Sequence, residues 1–137
     1  MAEKKMLKKL ADQLIAHEGL RLKPYLCPAG KLTIGVGRNL EDRGITEKEA
    51  RLLLENDIQD CIADLQKIFQ DENGGFDFLP ESVQMVLEDM RFNLGYNGFR
   101  TFKKMIQAVR EHDFNKACRE MQDSKWYSRS VKGVKSL

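Results

Sequence analysis

The longest uninterrupted periodic stretch of this chain constrains it most. After Thr46, the residues Ala50, Leu53, Leu54, Ile58, Ile62, Leu65 and Phe69 recur mostly at three- and four-residue intervals, the spacing of one helix face. Thr46 and Glu49 have the T-x-x-E form of a capping box at its start. The pattern predicts a helix from Thr46 to about Gln70, ending in the loop Asp71-Glu-Asn-Gly-Gly75. At 1.5 Å per residue such a helix is about 36 Å long, enough to bridge two lobes.

The text on either side of that helix differs in kind. Residues 4–17 put Met6, Leu7, Leu10, Leu14 and Ile15 on one helical stripe, with Gly19 as a natural stop. From Leu20 to Ile45 the helical period gives way to prolines, glycines and short alternating runs, which read as a small β-rich lobe. Lys31-Leu-Thr-Ile-Gly-Val-Gly37 is its clearest strand. Pro80 opens a second long helix carrying Val83, Val86, Leu87 and Met90, expected to end near Gly95. Shorter helices are expected around 100–111 and 113–122, with a final turn at Trp126-Tyr127. The fold class is therefore α+β, mainly helical with a small N-terminal β lobe and a long interdomain helix. Residues 1–137 form one domain, with the β lobe at about 20–45 and the helical lobe at 1–19 and 46–137.

Composition narrows the class by exclusion. A chain of 137 residues buries a core without disulfides or a metal. Its three cysteines, Cys27, Cys61 and Cys118, are odd in number and form no CxxC pair, so they are expected to be reduced thiols. No apolar run approaches the roughly 20 residues that span a bilayer, so stable membrane insertion is not expected. The start, MAEKKMLKKL, lacks the apolar core of a secretory signal. Synthesis in the cytoplasm, or loss of an export segment, accounts for that. His17-Glu18 lacks the second His of an HExxH motif, and Asp71–Gly75 has Ser82 where a calcium loop needs its twelfth-position Glu. Neither a metal nor another cofactor is expected.

Net charge is +2, but Lys125, Arg129, Lys132 and Lys135 follow Asp123 with no acid among them. A basic tail on a slightly acidic body steers toward an anionic wall, polymer or nucleic acid, or is simply solvated.

Three features within 20 residues carry chemistry. Glu18 falls in the last turn of the first helix, where the helix dipole disfavours a negative charge. Held there against an apolar helix, its protonated form would be favoured, as a general acid requires; an exposed surface Glu is the plainer alternative. Along the strand, Leu32, Ile34 and Val36 share a face that can pack on a core, while Thr33, Gly35 and Gly37 leave the other nearly bare. Glycine inside a strand marks a close ligand approach, or else a bulge. Cys27-Pro28-Ala29-Gly30 fits a type I turn, whose first position usually takes Asp, Asn or Ser to bond back to the turn. Cysteine does this poorly, so Cys27 is either a small hydrophobe or a functional substitution.

These residues together resemble the phage-type lysozymes (endolysins). Glu18-Gly-Leu-Arg-Leu-Lys-Pro-Tyr25 is similar to that family's E-G-x-R-x-x-x-Y segment. Cys27 stands where the family has a catalytic Asp or sometimes Cys, and Thr33-Ile-Gly-Val-Gly37 is similar to its T-I-G-x-G. Ile45-Thr-Glu-Lys-Glu-Ala50 resembles the start of its interdomain helix, Phe92-Asn-Leu-Gly95 its cleft-facing segment, and Ser124-Lys-Trp-Tyr127 its late W-Y element.

The resemblance implies hydrolysis of the β-1,4 bond between N-acetylmuramic acid and N-acetylglucosamine of peptidoglycan. Glu18 is implied as general acid, with Cys27 and Thr33 positioning or activating the nucleophile. Gly37, Arg38, Asn39, Phe92 and Gly95 are implied to bind the glycan, and Arg21 to brace the β lobe. One of Arg129, Lys132 or Lys135 is expected to approach Glu18. The partner is peptidoglycan rather than nucleic acid, the protein is expected to be a monomer, and it stays in the host bacterial cytoplasm until a holin-like partner lets it reach the wall.

The thiol's part stays open at this point. An ordinary thiol of pKa about 8.5 is only a few per cent ionised at pH 7, and an ionised Glu18 would lower that fraction further. Cys27 as a base implies inversion, Cys27 as a nucleophile implies retention, and Cys27 as a turn-former implies neither. A glycan-binding protein without turnover, a lytic transglycosylase using Glu18 alone, and a small nucleic-acid binder are the competing readings.

Overall fold

The computed structural model describes residues 2–70 and 74–122. The order of elements is α1 (Ala2–Glu18), β1 (Arg21–Leu26), β2 (Leu32–Gly35), β3 (Arg38–Asn39), α2 (Glu47–Ile68), a 3-10 turn (Phe76–Phe78), α3 (Glu81–Arg100), α4 (Lys103–Arg110) and α5 (Phe114–Gln122). The fold is α+β, five helices with one three-stranded antiparallel sheet in the order β1-β2-β3. The chain divides into two compact units, Met1–Arg51 and Leu52–Leu137.

In the first unit, α1 stops where Gly19 takes a φ of 81° and donates its N–H to the Ile15 carbonyl at 2.8 Å. That is the left-handed helix terminus a glycine accepts without a Cβ clash. Strand β1 pairs with β2 through Arg21↔Gly35, Tyr25↔Thr33 and Leu26↔Leu32, with an irregular step between Arg21 and Tyr25. Pro24 lies in that step on an edge strand, where a missing N–H costs no ladder bond. Arg21 stacks on the Tyr25 ring, 4.4 Å from its centroid, a cation–π contact within β1.

The strand expected over 31–37 is shorter. It ends at Gly35, and Gly35 and Gly37 both take a φ of 71° in the turn to β3. A Cβ on either would meet nothing within 4 Å. These glycines are therefore required by backbone conformation and not by anything crowding them. The sides of the strand also differ from expectation. Thr33 is buried, at 3% exposure, whereas Leu32 and Val36 are exposed. Thr33 sits in the central strand, flanked by Tyr25 on one side and Asn39 on the other, so its neighbours cover it.

The loop after β3 is tied by polar bonds. Asn39 Nδ2 donates to the Asp42 carboxylate at 3.0 Å while the Asp42 N–H donates to Asn39 Oδ1 at 3.0 Å. Glu41 accepts from the Leu32 N–H at 2.9 Å. The capping box then opens α2. The Glu49 N–H donates to Thr46 Oγ1 at 3.1 Å and the Thr46 N–H to Glu49 Oε1 at 2.9 Å. Helix α2 closes at Ile68, two residues short of the expected end.

The second unit holds the apolar core: Leu65, Ile68 and Phe69 from α2 and the residue after it, Leu87, Met90 and Phe99 from α3, and Met105, Ile106 and Val109 from α4. Phe69 and Phe99 meet edge to face with centroids 6.2 Å apart. Arg91 of α3 reaches Asp64 of α2 at 2.6 Å. Helix α3 begins after Pro80, which caps it rather than forming its first turn. It does not end at Gly95: the chain kinks there, at φ 76° and ψ 171°, and helix resumes to Arg100. Among the described residues no helix is long and apolar enough to cross a membrane. The expected turn at Trp126-Tyr127, the tail cations and residues 71–73 lie outside the described residues.

Candidate active site

The turn Cys27–Gly30 is closed by the Gly30 N–H donating to the Cys27 carbonyl at 2.8 Å, as a four-residue β-turn requires. The Cys27 N–H donates to the Lys31 carbonyl at 3.0 Å, which continues the β1–β2 ladder up to the turn. The Cys27 thiol is half-buried at this turn. Charge-stabilising bonds to an ionised sulfur are available from the backbone N–H of Lys31, then from that of Ala29, and from the Thr33 side chain.

Those bonds favour the ionised sulfur and lower the Cys27 pKa from the ordinary thiol value, the Lys31 N–H contributing most and partial burial opposing. No cation is among the causes that make the thiol ionise more readily.

Thr33 belongs to the same cluster. Its hydroxyl donates to the Lys31 carbonyl at 2.8 Å while its oxygen lies beside the Cys27 sulfur. A hydroxyl has a single proton, so it cannot donate to that carbonyl and to the sulfur at once.

Glu18 is the last residue of α1, in the same unit, exposed, and without a hydrogen bond or ion pair among the described residues. The cations expected to approach it, Arg129, Lys132 and Lys135, lie outside the described residues.

The other candidates fall into two groups. Gly37 shapes the β2–β3 turn. Arg38 pairs with Glu49 at 2.7 Å and also donates to the Gly44 carbonyl at 3.3 Å, and Asn39 is held by Asp42, so both side chains already have partners in their own loop. Arg38 and the Thr46 cap hold the Glu49 carboxyl well below the usual carboxylate range, at about 2. Phe92 and Gly95 belong to α3 in the second unit. Phe92 lines a cleft of about 260 Å³ with Leu54, Ile58, Cys61 and Met85, and Gly95 is the α3 kink.

Sequence reasoning missed two contributions. The N–H groups of Lys31 and Ala29 have no side-chain signature, although the Pro-x-Gly turn that aims them is visible. The Arg38–Glu49 pair hid behind the capping box that also uses Glu49.

A small antiparallel sheet bearing a polar cluster at its turn, followed by a long capped helix into a helical unit, defines a lysozyme-like α+β protein. Residues 15–137 match the family model described as phage lysozyme, and the chain belongs to that family. It is 30% identical to the pre-baseplate central spike protein Gp5 of Enterobacteria phage T4 over 88% of this chain and 25% of that protein. It is 29% identical to an endolysin of Acyrthosiphon pisum secondary endosymbiont phage 1, covering 88% of this chain and 78% of that one. A probable T4-type lysozyme 2 of Dictyostelium discoideum is 24% identical over 93% and 89% of the two chains. The chain thus spans a quarter of the length of the spike protein and most of the other two.

Proposed function

We propose that this chain is a peptidoglycan-hydrolysing endolysin, a glycoside hydrolase of the lysozyme type. It cleaves the β-1,4 bond between N-acetylmuramic acid and N-acetylglucosamine. Membership of the phage lysozyme family supports the reaction class. What supports the site reading is the half-buried Cys27 thiol at the β1–β2 turn, whose pKa the Lys31 and Ala29 N–H groups and the Thr33 side chain lower.

Glu18 donates its proton to the leaving glycosidic oxygen as that bond breaks. A water adds to the anomeric carbon from the opposite face and gives its proton to the Cys27 thiolate. Cys27 is assigned as the base rather than the covalent nucleophile, which gives inversion of configuration. Thr33, buried and bonded to the Lys31 carbonyl, is a positioning residue for the sulfur. Gly37, Arg38, Asn39, Phe92 and Gly95 are assigned to glycan binding, Arg38 and Asn39 through the loop shape their side chains maintain. The protein works as a monomer and reaches the wall from the host cytoplasm with the help of a holin-like partner.

Turbidity loss of purified wall suspensions tests this with three proteins side by side. Glu18→Gln should lose about a thousandfold and Cys27→Ala about a hundredfold, as expected for an acid and a base. An active Glu18→Gln enzyme rejects the reading. Wall binding without new reducing ends would identify a glycan-binding protein, and anhydro-sugar ends a lytic transglycosylase.

A further inference from the structure

A cleft of about 460 Å³ in the second unit gathers four cations without an acid in its lining. Lys67 comes from the last turn of α2, Arg100 from the end of α3, and Lys103 and Arg110 from the two ends of α4. None of the four forms an ion pair among the described residues. Arg110 donates to the Ile68 carbonyl at 2.6 Å, which satisfies the C-terminus of α2 and fixes one wall. Lys67 and Arg100 both lie over the Tyr96 ring, at 5.9 and 5.1 Å from its centroid. The ring gathers two like charges into one place. Glu111, the C-cap of α4, accepts from Gln107 at 3.0 Å.

Helix α4 borders the same cleft through Lys103, Ile106, Gln107 and Arg110. Helix α4 starts at Lys103, and its N-cap, Phe102, offers no side-chain acceptor. Its first N–H groups therefore lack the cap that a Ser or Asp would give. Like charges held together at an uncapped helix start repel one another until an anion joins them, and the helix dipole adds to the attraction.

We infer that this cleft binds a phosphate group, carried by a small ester or by a phosphodiester polymer. Lys67, Arg100 and Lys103 supply the charge, and the α4 N-terminus supplies the directional N–H donors. The inference is independent of the hydrolase reading and of Glu18, Cys27 and Thr33.

Amide chemical shifts and calorimetry test it on the full chain. Titration with inorganic phosphate should shift the Lys103 and Lys104 amides, and a short glycerol-phosphate oligomer should shift the same amides. Tighter binding of the oligomer assigns a polymer, and equal binding per phosphate assigns a small ester. The variant Lys67→Gln/Arg100→Gln/Lys103→Gln should bind either probe at least tenfold more weakly, since each lost charged contact is worth more than a neutral one. Lys8→Gln/Lys9→Gln on α1 should bind as the parent does. Unmoved Lys103 and Lys104 amides, or a folded triple variant with parental affinity, overturns the site.

Discussion

The two units of this molecule are held together by different physics. Among the described residues, all the buried apolar side chains belong to the second, beginning at Cys61, whereas Thr33 is the buried residue of the first. The first unit is tied by hydrogen bonds and the Arg38–Glu49 pair. Its two cysteine environments make the contrast sharper. Burial pushes the Cys61 thiol up, while backbone N–H groups bring the Cys27 thiol down. The second unit buries Cys61 and exposes Cys118, whereas Cys27 lies half-buried at the turn of the first.

The largest effect that could break this contrast is in the core. Phe99→Ala removes the edge-to-face partner of Phe69 and should cost about 3–5 kcal/mol in denaturant unfolding. The rate at which Cys27 reacts with iodoacetamide in the folded protein should be unchanged. Thr46→Ala acts on the first unit by deleting the cap of α2 and should cost about 1 kcal/mol in the same measurement.

Glu49 sharpens the contrast through pH. Its folded pKa is depressed to about 2, so the stability it contributes is complete above the unfolded value of about 4.3 and is lost as pH falls toward 2. Glu49→Gln should flatten the acid limb of a stability–pH curve in that window and leave neutral pH less stable. Thr33→Val should have the smallest effect. It removes the hydroxyl beside Cys27, a smaller contribution than either N–H, and should raise the midpoint of Cys27 alkylation slightly.

What could be read from the sequence was what repeats at fixed local spacing. The Thr46–Glu49 box, the α2 stripe and the Gly19 stop each depend on residues within a turn of one another, and all three form. The spacing of Glu18, Cys27 and Thr33 drew attention through its resemblance to the phage-type lysozymes, not through local periodicity. Alternation along 31–37 could not say which face is covered, because that depends on the strands flanking Thr33. Nor could it say that Gly35 turns, since glycine takes either sign of φ at little cost. The acidity of Cys27 was illegible because it comes from main-chain donors that every residue carries.

The central claim is that the backbone of the turn makes Cys27 a working thiolate. The most direct measurement is the pH dependence of Cys27 alkylation beside that of wall lysis, in a protein carrying Cys118→Ser. Both should rise with a common midpoint below the ordinary thiol value, and Cys27→Ala should abolish the alkaline rise in lysis. A Cys27→Ala enzyme with parental activity and an unchanged profile would contradict the account.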